Sequence, residues 1–313
     1  GRFEAKESLA YKNNFLQDPI VDQWIYAFAD IIQEKYPDVS FQKREFKFIS
    51  TIDIDNAYAF LFKGISRTLG ATLRSLINLD LEENIRRYRT LAGKKDPYDT
   101  YDIFFDIHQK YNIKPIWFFL VGNSGRFDKN VSVEKTAYQN LIKEISAKFE
   151  VGIHPSYKTG KKPNLLEEEI KNLESVIERK VTKSRQHYLK LHFNHTYLNL
   201  INSGITEDYT MGYATDIGFR AGTCTPFKYY DLENEKETDL TIYPFQIMDI
   251  TLNKQKGLNT TAAISSVENM IEKIKKVDGT FISIWHNEAL SDHGHWKGWE
   301  NVYREMLRYV YES

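Results

Sequence analysis

Five short apolar segments recur along the chain, each rich in β-branched and aromatic residues: FKFISTID (46–53), KPIWFFLVG (114–122), FEVGIHP (149–155), LTIYPFQIMD (240–249) and GTFISIWH (279–286). Such continuous apolar runs do not suit a strand with one wet face, so they predict strands buried on both sides. Between and beside them, 100–111, 134–149, 164–179 and 263–277 carry apolar residues at three- and four-residue steps, which lays one apolar stripe along a helix. Strand followed by helix, repeated, predicts a mostly parallel sheet with helical crossovers, either open or closed into a barrel. A helical lead-in over about 20–36 precedes the first strand, and a long helical insertion over about 65–92 follows it.

No repeat, low-complexity tract or Gly/Pro-rich linker divides the 313 residues. Hydrophobic residues at 42% and aromatics at 14% supply a large core. The 42 Lys and Arg are interspersed with 43 Asp and Glu, so no basic footprint for nucleic acid is present. Apolar runs such as IWFFLVG fall well short of the ~20 residues a membrane span needs. Cys224 is the one cysteine, which excludes an internal disulfide framework and cysteine-rich zinc sites. The chain opens GRFEAKES, with no methionine and no charged-then-apolar leader; a removed leader stays open, and a soluble protein of the cytoplasm is the expectation.

The chemistry concentrates at the ends of the apolar runs. In EFKFISTIDIDNAYAF (45–60), Asp53 and Asp55 stand two apart, so in a strand both point to one side at its carboxyl end. Two such carboxylates repel unless one takes a proton or a cation sits between them. The alternative is that one caps the following helical segment while the other is solvated. His154, Arg185 with His187, and His286 also fall at or just after predicted strand ends, where α/β barrels build their sites. A lone histidine in an apolar setting is usually structural, but several on one rim ask for a common purpose.

Taken in order over about residues 46–290, these segments resemble the polysaccharide deacetylases, carbohydrate esterases that share the NodB-homology domain. STIDIDNAY looks like the first motif of that family, KPIWFFLVG its second strand, FEVGIHPSY the metal-binding histidine motif, SRQHYL the arginine motif, GITEDYTMGY the segment after it and ISIWHNE the last motif. The resemblance implies a distorted (β/α) barrel of the NodB type over 45–313, with 1–44 as a helical lead-in. It implies a metal-dependent hydrolase that removes N- or O-linked acetyl groups from a carbohydrate, with Asp53 as general base, Arg185 holding it, and His286 as general acid. Asp55 and His154 would bind a divalent metal, zinc foremost, with cobalt, nickel or manganese as alternatives. The implied partner is an acetylated carbohydrate, without nucleic acid or a membrane span, and with the oligomeric state open.

One departure matters. The family usually carries a second histidine four positions after the first, where this chain has Lys158, which cannot coordinate a metal while protonated. His187 is the candidate third ligand, two residues beyond Arg185; a substrate-contacting or structural His187 remains equally open. An inactive glycan-binding relative is therefore the alternative function. A glycosidase would need a second acid about 5 to 9.5 Å from Asp53, and none is identifiable. In GFRAGTCTPFKYYD (218–231), Arg220 with Tyr229 or Tyr230 could face a sugar, although a structural turn is preferred. Trp296 and Trp299 fit the buried face of a last helix reaching Tyr311, and His108, His192 and His195 are expected to be structural.

Overall fold

The computed structural model describes residues 3–312. Helices α1 (Leu9–Lys12) and α2 (Ile20–Lys35) lead into strand β1 (Lys47–Ile54), and the insertion after it is a hairpin of α3 (Ile65–Ile77) and α4 (Leu81–Leu91). Next come α5 (Tyr101–Lys110), β2 (Ile116–Phe119), α6 (Thr136–Ser146), β3 (Glu150–Ile153), α7 (Pro163–Ile177), β4 (Lys183–Ser184), α8 (Phe193–Asn202) and β5 (Glu207–Asp208). The chain closes with β6 (Phe227–Asp231), β7 (Lys236–Ile242), β8 (Ile247–Met248), α9 (Thr260–Lys275), β9 (Thr280–His286) and α10 (Trp299–Glu312).

Among the described residues, nine strands form one sheet in the order β6-β7-β5-β4-β3-β2-β1-β9-β8. All pairs are parallel except β6 with β7, and β6 and β8 remain as free edges, so the sheet curls into a half-barrel without closing. Helices cover its convex face. There Trp117, Phe119, Ile153 and Trp285 pack against Phe104, Ile142, Leu173 and Tyr303. The concave face holds a smaller core of Phe118, Tyr209, Phe245 and Ile284. Residues of β1, β2 and β9 are thus apolar on both faces, which is why their runs were continuous.

Four local features differ from the sequence expectation. Segment 240–249 divides between β7 and β8, because Pro244 lacks the N–H a ladder requires. β4 and β5 are two-residue strands carrying Lys183, Glu207 and Asp208, too short and too charged to show as apolar runs. The stretch expected to be a turn over 218–231 ends in β6, which pairs antiparallel with β7. Trp299 opens α10, whereas the buried Trp296 precedes it in a single 3₁₀ turn.

Candidate functional site

Six neighbouring strands, β4-β3-β2-β1-β9-β8, present polar residues at or beyond their carboxyl ends. Asp53 lies in register with Phe118 of β2 on one side and His286 of β9 on the other. Asp55 follows β1, His154 follows β3, and Arg185 and His187 follow β4. Asp53, Asp55, His154, His187 and His286 line one cavity of about 240 Å³, whose remaining wall is largely apolar, with Tyr188, Leu189, Met248 and Ile250. Tyr188 and Leu189 reach that wall through consecutive left-handed backbone angles, φ 60° and 51°, a costly conformation for side chains of this size.

Arg185 is fully buried beneath the cavity. Its Nη1 donates to Asp53 Oδ1 at 2.7 Å and to Thr51 Oγ1 at 2.7 Å, and its Nε donates to the Tyr209 carbonyl at 3.0 Å. The guanidinium rests on the Phe118 ring, 4.6 Å from its centre. Asp53 Oδ1 is therefore committed, and Oδ2 is the atom left for the cavity, 4.0 Å from His154 Nε2.

Each imidazole is oriented from behind. His154 Nδ1 donates to the Arg185 carbonyl at 2.5 Å, His187 Nδ1 donates to Asp128 Oδ1 at 2.8 Å, and His286 Nδ1 donates to Asp249 Oδ1 at 2.8 Å. All three acceptors lack a proton to give, so Nδ1–H is fixed on each ring and every Nε2 is turned to the cavity. The Nε2 atoms stand 3.0, 3.3 and 3.7 Å from Asp55 oxygens for His154, His187 and His286. Asp55 Oδ1 is nonetheless buried without a hydrogen-bond partner. In neutral His154 the Nε2 lone pair meets that oxygen's lone pair, an arrangement that only a positive charge relieves. Donor atoms of Asp55, His154 and His187 all lie within 4.8 Å of one another, close enough to hold a metal ion.

The electrostatics point the same way. Burial pushes the Asp55 carboxyl up, but the adjacent His187 and His154 overcome this and hold it well below the usual carboxylate range. Burial would likewise depress His187, yet Asp55 and Asp128 raise it to about 9. For His286, burial is outweighed by Asp249, which with Asp55 and Asp53 raises it to about 10. The pocket is a strong acceptor of positive charge, whether protons or a cation.

All six residues singled out in the sequence thus meet at one place. Sequence reasoning missed Asp128 and Asp249, the partners behind two of the imidazoles. Asp249 was findable, since it ends an apolar run as Asp53 does; Asp128 sits in the loop after β2 with no local signal. The other residues fall elsewhere. Arg220 donates to the Gly212 carbonyl, Tyr229 is buried against Asn194, and Tyr230 bonds Glu235 on the surface, so the structural reading of 218–231 stands. His108 is buried against Tyr303. Lys158 lies beside Gly125, outside the cavity lining.

Solved structures share this fold. A protein from Mycobacterium smegmatis assigned as a polysaccharide deacetylase aligns over 87% of this chain and 86% of its own, with 15% identity and a TM-score of 0.57. Another so assigned, from Pseudomonas aeruginosa PAO1, aligns over 86% of each chain with 8% identity and a TM-score of 0.54. The half-barrel is therefore the NodB-type deacetylase fold. A family model described as a family of unknown function, DUF7033, matches residues 1–37. No curated protein matches the chain.

Proposed function

We propose that residues 45–313 form a divergent deacetylase domain, entered through the 1–44 lead-in, and that it removes acetyl groups from a carbohydrate with a divalent metal. The observation that carries this reading is the confrontation of His154 Nε2 with the partnerless Asp55 Oδ1 at 3.0 Å, with His187 Nε2 closing the group. Two imidazole nitrogens and one carboxylate are a fitting donor set for zinc with an open position, and each imidazole is braced from behind as metal-binding histidines are. His187 would take the place of the histidine that Lys158 displaces. When bound, the ion supplies Lewis acidity toward a carbonyl and a water.

The chain's own groups divide the proton work. Asp53, with Oδ1 held by Arg185, offers Oδ2 to receive the proton of an attacking water. His286, protonated at neutral pH by the field of Asp249, presents its Nε2–H to the departing amine or alkoxide. Such paired acid and base catalysis contributes roughly a hundred- to ten-thousand-fold. Leu189, Met248 and Ile250 give the acetyl methyl an apolar wall.

The test pairs elemental analysis with acetate release from acetylated glycans in the presence of zinc, cobalt, nickel or manganese. Asp53→Asn should retain metal and lose turnover by a factor on the order of a hundred or more, whereas Asp55→Asn should lose both. Wild-type protein that binds metal and releases no acetate from any acetylated glycan would point to a binding module; protein that takes up none of the four ions would overturn the reading.

A further inference from the structure

The α3–α4 hairpin is built inside out. Its buried residues are polar, Ser75 on α3 and Asn84, Arg87 and Thr90 on α4, and its helices are joined by Asn84 donating to the Thr72 carbonyl and by the Thr72–Tyr88 hydroxyl pair. Its aliphatic residues face out: Ile65 is 81% exposed, Ile77 72% and Leu79 85%, with Leu69, Leu73, Leu81 and Ile85 also more than half exposed. On α3, positions 65, 69, 73, 76 and 77 fall on one stripe. Contiguous exposed apolar area of this kind marks a surface that meets another apolar phase.

Charge selects the occupant. Residues 63–95 hold eight Lys and Arg against Asp80, Glu82 and Glu83, a net charge of +5 in a chain whose total is −1. Arg74 stands one turn before Ile77 and Arg89 one turn after Ile85, and both, like Lys94, are exposed and form no salt bridge among the described residues. Behind the hairpin, Lys63, Arg67, Arg87 and Lys129 face a cavity of about 220 Å³ with Glu83 as its one acid. Burial and the neighbouring Arg67 push Lys63 down to about 7, so at neutral pH it gives only part of its formal charge, and the exposed Arg74, Arg89 and Lys94 carry the outward positive field. A second copy of this chain docked about a twofold axis would set these cations against themselves. An anionic bilayer answers both the aliphatic face and the cations.

We propose that the α3–α4 hairpin is an interfacial anchor that docks this protein on an anionic lipid surface. No described helix is long and apolar enough to cross a membrane, so the contact is one of lying in the interface. The cavity behind the hairpin includes Asn56, next to Asp55, so the anchor stands at the carboxyl-end rim that carries the candidate site. Helix α2 also exposes Trp24, Ile25, Phe28 and Ile31, but its charges are mainly acidic, Asp22, Asp30 and Glu34 against Lys35. It sits by the amino ends of β1 and β9, where Arg44 bonds Asp22 and the Val277 carbonyl, and is not part of this anchor.

Co-sedimentation with vesicles tests the proposal. The protein should pellet with phosphatidylcholine vesicles containing roughly one-third phosphatidylglycerol, far less with phosphatidylcholine alone, and less as salt rises. Combining Leu69→Ser, Leu73→Ser and Ile77→Ser should weaken binding by about tenfold or more, and Arg74→Gln and Arg89→Gln by about fivefold each, with circular dichroism unchanged. The proposal fails if neither vesicle retains the protein or if both sets of variants bind as wild type. It fails equally if sedimentation equilibrium shows a dimer that the serine substitutions dissociate, which would assign the face to a second copy.

Discussion

A single carboxylate behind an imidazole decides what that imidazole can offer. Asp128 accepts Nδ1–H of His187 at 2.8 Å and the Tyr157 N–H at 3.0 Å, so it fixes both the tautomer and the ring plane. On the proposed reading it is a positioning residue for a metal ligand. Asp128→Asn keeps the shape but loses the charge and sets an amide against Nδ1, and metal affinity should fall by roughly 10- to 100-fold. Competition against a chromophoric chelator measures this, and an unchanged affinity would mean that His187 is not a ligand. Lys158 belongs to the same scale: its ammonium stands by Gly125, and the imidazole that turns toward Asp55 comes from a different strand end, 29 positions later in the chain than Lys158.

At the scale of elements, legibility in the sequence follows burial. β1, β2, β3 and β9 are covered on both faces or nearly so, which forces continuous apolar runs, and α5, α6, α7 and α9 bury one stripe each, which forces the helical period. β4 and β5 need only two residues apiece to extend the sheet, and their Lys183 and Glu207 pair with each other at 2.7 Å instead of entering the core. Asp53, Asp55, His154 and His286 were visible because a polar residue at the end of an apolar run breaks the pattern, whereas Arg185 and His187, after the two-residue β4, showed only through the likeness of SRQHYL to a known motif. Asp128, in a loop, breaks none. Packing imposes one further demand that spacing hides: a Cβ on Gly152 of β3 would come within 2.6 Å of Phe118 and 2.8 Å of the Lys183 carbonyl. Backbone cannot yield as a flexible side chain does, and Phe118 supports the Arg185 guanidinium. Gly152→Ala should therefore cost on the order of 1–3 kcal/mol in urea unfolding and disturb Asp53 through Arg185; an unaltered midpoint would show that the strands can part without penalty.

For the molecule as a whole, burying ionisable groups in the two cores makes stability depend on pH from both sides. Burial pushes Glu169 and Asp208 up to about 7, so each is at ease as a neutral acid and costs stability as pH rises from the unfolded carboxylate value through 7. His108 works in the opposite sense: wholly enclosed under α10, it is depressed by burial to about 3. Unfolded, it takes a proton near 6.5, so between about 6.5 and 3 the unfolded chain binds more protons and stability falls as pH falls. The loss from this one group approaches something on the order of 4 kcal/mol at the acid end. His108→Leu removes the titration while Tyr303, the histidine's partner at 2.5 Å, keeps its bond to Ser50 at 2.9 Å. Urea midpoints compared across that window should show the variant losing markedly less stability than wild type on acidification, despite a lower or equal value at neutral pH. Parallel curves for the two proteins would mean that the imidazole reaches solvent and titrates as it does in the unfolded chain.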